Sequence, residues 1–141
     1  MEISNVKRRV QETIDRAKRM AADRRVAVDE AAKEYDGFLE HIAVPIFRQV
    51  ANVLRAQGYP FTVFTPGGSV RLMSDRASDD YIELVLDTAP DTPGVVGHSR
   101  HLRGRRVTDS ERPLGAGPIR DLTEDDVLAF VLKELEPFVE K

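Results

Sequence analysis

The stretch Ser99 to Val107, SRHLRGRRV, sets Arg100, Arg103, Arg105 and Arg106 around one glycine, in a chain whose net charge is −3. Guanidinium groups at that density suit phosphate or carboxylate oxygens, which they grip with paired, charge-assisted hydrogen bonds. No aromatic residue interleaves with them, so the base stacking that accompanies single-strand recognition has no platform here. The more economical reading is an exposed hairpin whose charges discourage edge-to-edge pairing with other chains. A nucleic acid or another polyanion ranks second for these four arginines, and an acidic protein surface third.

The other residues able to do chemistry are sparser. His98 and His101 form an HSRH pair, but residues three apart in an extended strand point to opposite faces, and no third ligand lies near. SDRASDD, residues 74 to 80, lacks the spacing and closing glutamate of a calcium loop. TPGGS, 65 to 69, lacks the lysine of a phosphate-binding loop. No metal or other cofactor is expected. Ser69, Ser74, Ser78, Ser99 and Ser110 fall at expected turns and strand ends, without the GxSxG elbow of a nucleophile. Glu83 and Asp87 share one face of a strand and could supply acid-base chemistry, but pairing of Glu83 with Arg71 across the sheet is preferred. The absence of cysteine removes thiolate nucleophiles and cysteine-ligated zinc or iron.

The elements that carry these residues follow from periodicity. Up to residue 57 the only glycine is Gly37 and the only proline Pro45, as in helix. Ile3, Val6, Val10, Ile14, Ala17 and Ala21, then Val28, Ala32, Tyr35, Leu39, Ile42, Ile46, Val50 and Val53, recur every three or four residues in one stripe. Arg24 and Arg25 interrupt it without changing its phase. Either a single helix bent near Pro45 or a helical hairpin turning at residues 22 to 29 satisfies this pattern. The single helix is preferred, because the hairpin would turn without glycine or proline. Gly58 and Pro60 end the helix.

The period then drops to two. FTVFT (61 to 65), SVRLMS (69 to 74) and DYIELVLDT (80 to 88) predict strands, with PGG turning between the first two. Ile82, Leu84 and Leu86 are assigned a covered face, and Tyr81, Glu83, Val85 and Asp87 a mixed, partly wet one. A loop, APDTPG, leads to VVGHSRHL and RRVTD, two strands turning at Arg103-Gly104-Arg105. ERPLGAGPIRDL predicts loop. Thr123 and Asp126 outline a capping box for a last helix, buried through Val127, Leu128, Val131, Leu132 and Leu135 and ended by Pro137.

The sum is an α+β fold in one domain, residues 1 to 141: a long N-terminal helix, an antiparallel meander of four to five strands, and a C-terminal helix packed on the sheet. With 41% hydrophobic and 32% charged residues the chain is of soluble, globular type. It has no apolar run of membrane-spanning length, and its charged first residues, MEISNVKRRV, predict a cytoplasmic location.

Charge is distributed in blocks. Residues 96 to 112 carry five basic and two acidic groups, between segments of two and six and of three and seven. At the other end, Ile3, Val6, Val10, Ile14 and Ala17 form a thin apolar seam among dense charges, which within residues 1 to 25 resembles a projecting coiled-coil face and predicts a homo-oligomer. The leading expectation is therefore a non-enzymatic protein–protein interaction module or oligomeric scaffold assembled through that helix. A small regulator gripping nucleic acid or another polyanion through residues 99 to 107 is the alternative, and a small-ligand-binding protein or enzyme comes third.

Overall fold

A computed structural model describes residues 1–90 and 92–140; Asp91, in the expected APDTPG loop, and Lys141 lie outside the described residues. The N-terminal helix is single, with no hairpin at residues 22 to 29. It consists of α1 (Ile3–Phe38), a π-helical turn (Leu39–Ala43) and α2 (Val44–Ala56) without a break. Gly58 caps it at φ +89°, and the amide of Tyr59 returns to the carbonyl of Leu54 at 2.8 Å, the wrapped ending that only a left-handed residue permits without strain.

The disturbance expected near Pro45 takes the form of the π turn. Proline offers no amide to the carbonyl four residues back, so the α-helical ladder cannot run through His41 unaltered. One bond widens instead: the amide of Val44 reaches the carbonyl of Leu39, five residues behind. A wide turn absorbs one extra residue, which moves the apolar stripe by one position. Ala31, Tyr35 and Phe38 are buried before it, and Ile46, Phe47, Val50, Ala51 and Leu54 after it. Val53, assigned to the buried stripe by unbroken periodicity, is 62% exposed while Leu54 takes its place.

Among the described residues five strands follow, β1 (Phe61–Phe64), β2 (Val70–Ser74), β3 (Tyr81–Asp87), β4 (Gly94–Arg103) and β5 (Arg106–Pro113), paired antiparallel in chain order. The 3-10 turn Ile119–Asp121 leads to α3 (Glu124–Val139). β5 runs through Glu111 to Pro113, into the segment expected to be loop. Pro113 is tolerated because β5 is an edge strand and proline's missing amide need not serve a sixth strand. Ser99 and Ser110, expected near strand ends, are cross-strand partners within β4 and β5.

Helices α2 and α3 cover one face of the sheet. α2 crosses β1 and β2, and α3 crosses β3 and β4. Val70, Leu72, Ile82 and Leu84 are fully enclosed between these layers, with Phe47, Val127 and Val131 opposite them. Gly97 of β4 lies directly beneath Phe130, where a Cβ would collide with the ring. α3 starts on the expected capping box, with Thr123 accepting from the Asp126 amide at 3.2 Å and Asp126 accepting from the Thr123 amide at 2.9 Å. Leu132, placed on its buried stripe by sequence, is 51% exposed. Pro137 does not end α3: it gives up only its own amide's bond to the Lys133 carbonyl, and the helix runs on to Val139, the Glu140 amide returning to the Glu136 carbonyl at 3.0 Å. Phe138 behind it packs edge-on against Phe61 and His101.

Candidate functional site

Three surfaces carry the sequence-assigned residues. The first is the N-terminal two-thirds of α1. From Met1 to Val26 every side chain except Asn5 is exposed, so this part of the helix stands clear of the chain's own core. Ile3 is 86% exposed, Val10 53%, Val6 45% and Ile14 41%. Ala17 lies on the same line and is exposed too. These five are on one face by helical spacing. The side chains around them bond locally: Arg8 donates to Asn5 at 2.8 Å and lies 4.0 Å from Glu12, and Gln11 donates to Asp15 at 3.0 Å.

The apolar line does not stop where the core begins. Val28, Ala32 and Leu39 continue it, half-buried, and beside Ala32 and Tyr35 a groove of about 400 Å³ opens, walled by Gly67, Gly68, Val85 and Leu86. Its floor is pinned by Tyr35, whose hydroxyl donates to the Gly68 carbonyl at 2.6 Å and approaches that of Leu84 at 3.4 Å. Burial, reinforced by the negative charges of Glu83 and Asp36, pushes the Tyr35 hydroxyl well above its ordinary pKa. Sequence reasoning missed this groove because three distant segments build it. The only local signal was PGG, whose Gly68 at φ +80° lets the turn present its carbonyl to the helix.

The second surface is the sheet face that the helices leave open. The register sets Arg71, Glu83, His98 and Glu111 in one cross-strand row, and Met73, Tyr81, Arg100 and Asp109 in the next. The Arg71–Glu83 pair expected from sequence is present at 2.8 Å. The face expected to be partly wet is nonetheless closed there: Glu83 is 7% and Tyr81 9% exposed, because Arg71 lies over the Tyr81 ring at 4.2 Å and His98 meets its edge at 5.5 Å. His98 Nε2 lies 3.3 Å from Asp109. His101 points to the other face and packs on Phe138, with ring centroids 4.8 Å apart. The two imidazoles cannot share an ion, and among the described residues no cluster of three metal-ligating side chains exists. Under the sheet, Glu134 of α3 accepts from Ser99 at 3.1 Å and pairs with Arg112. Sequence reasoning did not foresee this bridge, since nothing local marks a half-buried glutamate in α3.

The third surface is the arginine hairpin, which the fold divides. Arg100 lies on the open sheet face, its Nε shut from solvent and without a hydrogen-bond partner, while the carboxylate opposite it in register, Asp109, is engaged by His98. Arg103, Arg105 and Arg106 sit together at the exposed tip. Arg103 and Arg106 are direct cross-strand partners, joined through Gly104 at φ +63°, the conformation that a two-residue hairpin turn demands. Among the described residues no carboxylate pairs with any of the four.

The acidic turn holds structure. Asp75 accepts from Thr62 at 2.5 Å and from Arg55 at 2.9 Å, bonds that hold its carboxyl below the ordinary value, and Asp80 accepts the Leu102 amide at 2.8 Å. Among the described residues no helix is long and apolar enough to cross a membrane. Comparison of the chain with protein-family models, with curated proteins and with solved structures returns no match.

Proposed function

We propose that this protein is a non-enzymatic interaction module that assembles with itself through the exposed face of its N-terminal helix. The observation that carries this reading is the continuity of one apolar line: the line that meets the domain, half-buried, at Val28, Ala32 and Leu39 extends uncovered through Ala17 to Ile3. A bare helix of this composition draws its stability from packing of that face, since propensity alone is marginal in water. Leaving the line exposed also forgoes roughly 25 cal/mol for each Å² of apolar surface that a partner would cover.

The test is the mass of the full chain by light scattering during size exclusion, at several concentrations. A dimer or larger assembly is expected, reverting to monomer in the variant V6E/V10E/I14E, with any loss of helicity by circular dichroism no larger than residues 1 to 26 can supply and the denaturation of the sheet domain unchanged. Those three side chains are already exposed, so the fold has no reason to suffer. A wild-type chain that stays monomeric at high concentration defeats the reading.

A second reading is favoured by one observation. The arginines at the hairpin tip face each other uncompensated, and like charges directly opposite in a sheet are unfavourable. A polyanion laid across Arg103, Arg105 and Arg106 would relieve that repulsion.

A further inference from the structure

We infer that the partner of the N-terminal helix is a second copy lying antiparallel, its first turns seated in the groove beside Ala32 and Tyr35. This deepens the self-assembly proposed above and rests on it. Two observations carry the orientation, and the first is charge. Residues 1 to 26 contain eight basic and four acidic groups, whereas residues 27 to 43 contain one basic and five acidic. Asp29, Glu30, Asp36 and Glu40 of that second segment are exposed. Parallel, in-register pairing sets the basic half on the basic half and the acidic on the acidic. Antiparallel pairing with extended overlap sets each basic half beside an acidic one, the arrangement that favours both encounter and register.

The second observation is shape. The apolar line passes from the bare helix into the groove through Val28 and Ala32, and Val85 and Leu86 supply an apolar wall on the far side. The first turns of a helix presenting Ile3 and Val6 match a groove of that character. A parallel partner carries its own first turns to the opposite end, and both grooves stay open. A single two-fold axis fills both at once and closes the assembly at two chains. With Ile3 of one copy at the level of Ala32 to Asp36 of the other, the axis crosses α1 about midway between, near residues 18 to 20.

The absence of native cysteine makes the orientation directly measurable. In the full chain carrying S4C, spin labels on the two copies are expected about 45 Å apart in the antiparallel pair, from the helical rise of about 1.5 Å per residue. In a parallel pair they would lie within about 20 Å, set by helix spacing. A dimer with the short distance overturns the orientation and leaves self-assembly standing. A monomeric mass overturns the proposed function together with this inference.

Charge exchange supplies an independent arm. D29K, at a position flanking the seam, is expected to weaken association severalfold, and adding K7E to the same chain to restore it. Both positions are exposed, so folding is not at stake. Failure of the second change to rescue the first would overturn the antiparallel juxtaposition.

Discussion

The hydroxyl of Tyr35 donates a 2.6 Å hydrogen bond to the carbonyl of Gly68, fastening the middle of the long helix to the turn between β1 and β2. The bond needs the proton on the phenol. Its loss in Tyr35→Phe is expected to cost about 1 kcal/mol at neutral pH. The pH dependence follows from the raised pKa of the folded state. Above the ordinary value of 10.0 the unfolded chain releases the Tyr35 proton and the folded chain keeps it, so stability falls as pH rises. The gap between wild type and Tyr35→Phe in urea denaturation should therefore narrow from pH 10 upward. A gap that stays constant to pH 11 would show that the hydroxyl is not held protonated.

Gly97 lies where a Cβ would enter the Phe130 ring, and both residues are buried. Gly97→Ala is expected to destabilise the chain by about 1–3 kcal/mol through overpacking. Phe130→Leu should recover part of that loss in the double variant, although alone it destabilises. Additive losses in the urea midpoints would mean that the two residues do not share the space the structure gives them.

The tip arginines make the second reading separable from the first. R103A/R105A/R106A should leave stability within about 0.5 kcal/mol of wild type, as surface changes do, and leave the light-scattering mass unchanged. If the hairpin takes a polyanion, wild type binds inorganic polyphosphate with an affinity that drops steeply with salt, and the triple variant loses that binding. Equal binding by both chains removes the hairpin from consideration.

Much of the fold is legible in the residues, for reasons that can be named. The helix between residues 3 and 56 is uninterrupted because nothing at 22 to 29 favours a turn, and the strands alternate cleanly around PGG and RGR. What sequence could not convey is non-local or depends on a small geometric slip. The exchange of Val53 for Leu54 arises from one widened hydrogen bond ahead of Pro45, which a fixed period reads straight through. The closure of Tyr81 and Glu83 depends on Arg71 and His98 arriving from neighbouring strands. Of the candidate surfaces, the exposed line from Ile3 to Ala17 and the arginine tip were visible as patterns. The groove beside Ala32 was not, since its walls come from α1, the β1–β2 turn and β3.

The π turn at Leu39–Ala43 acts as a phase plate between two halves of one rod. It fixes the azimuth at which the free half leaves the domain, because everything beyond it toward Ile3 is rotated by roughly the 100° that a single α-helical residue subtends. In an assembly built on that free half, the dihedral angle between the two domains is thus set by this turn together with the packing of Ala31, Tyr35 and Phe38 beside it. Deleting a single residue between Leu39 and Ala43 would turn Tyr35 away from the Gly68 carbonyl, so the azimuth of the rod is held twice over, by the wide turn and by that hydrogen bond.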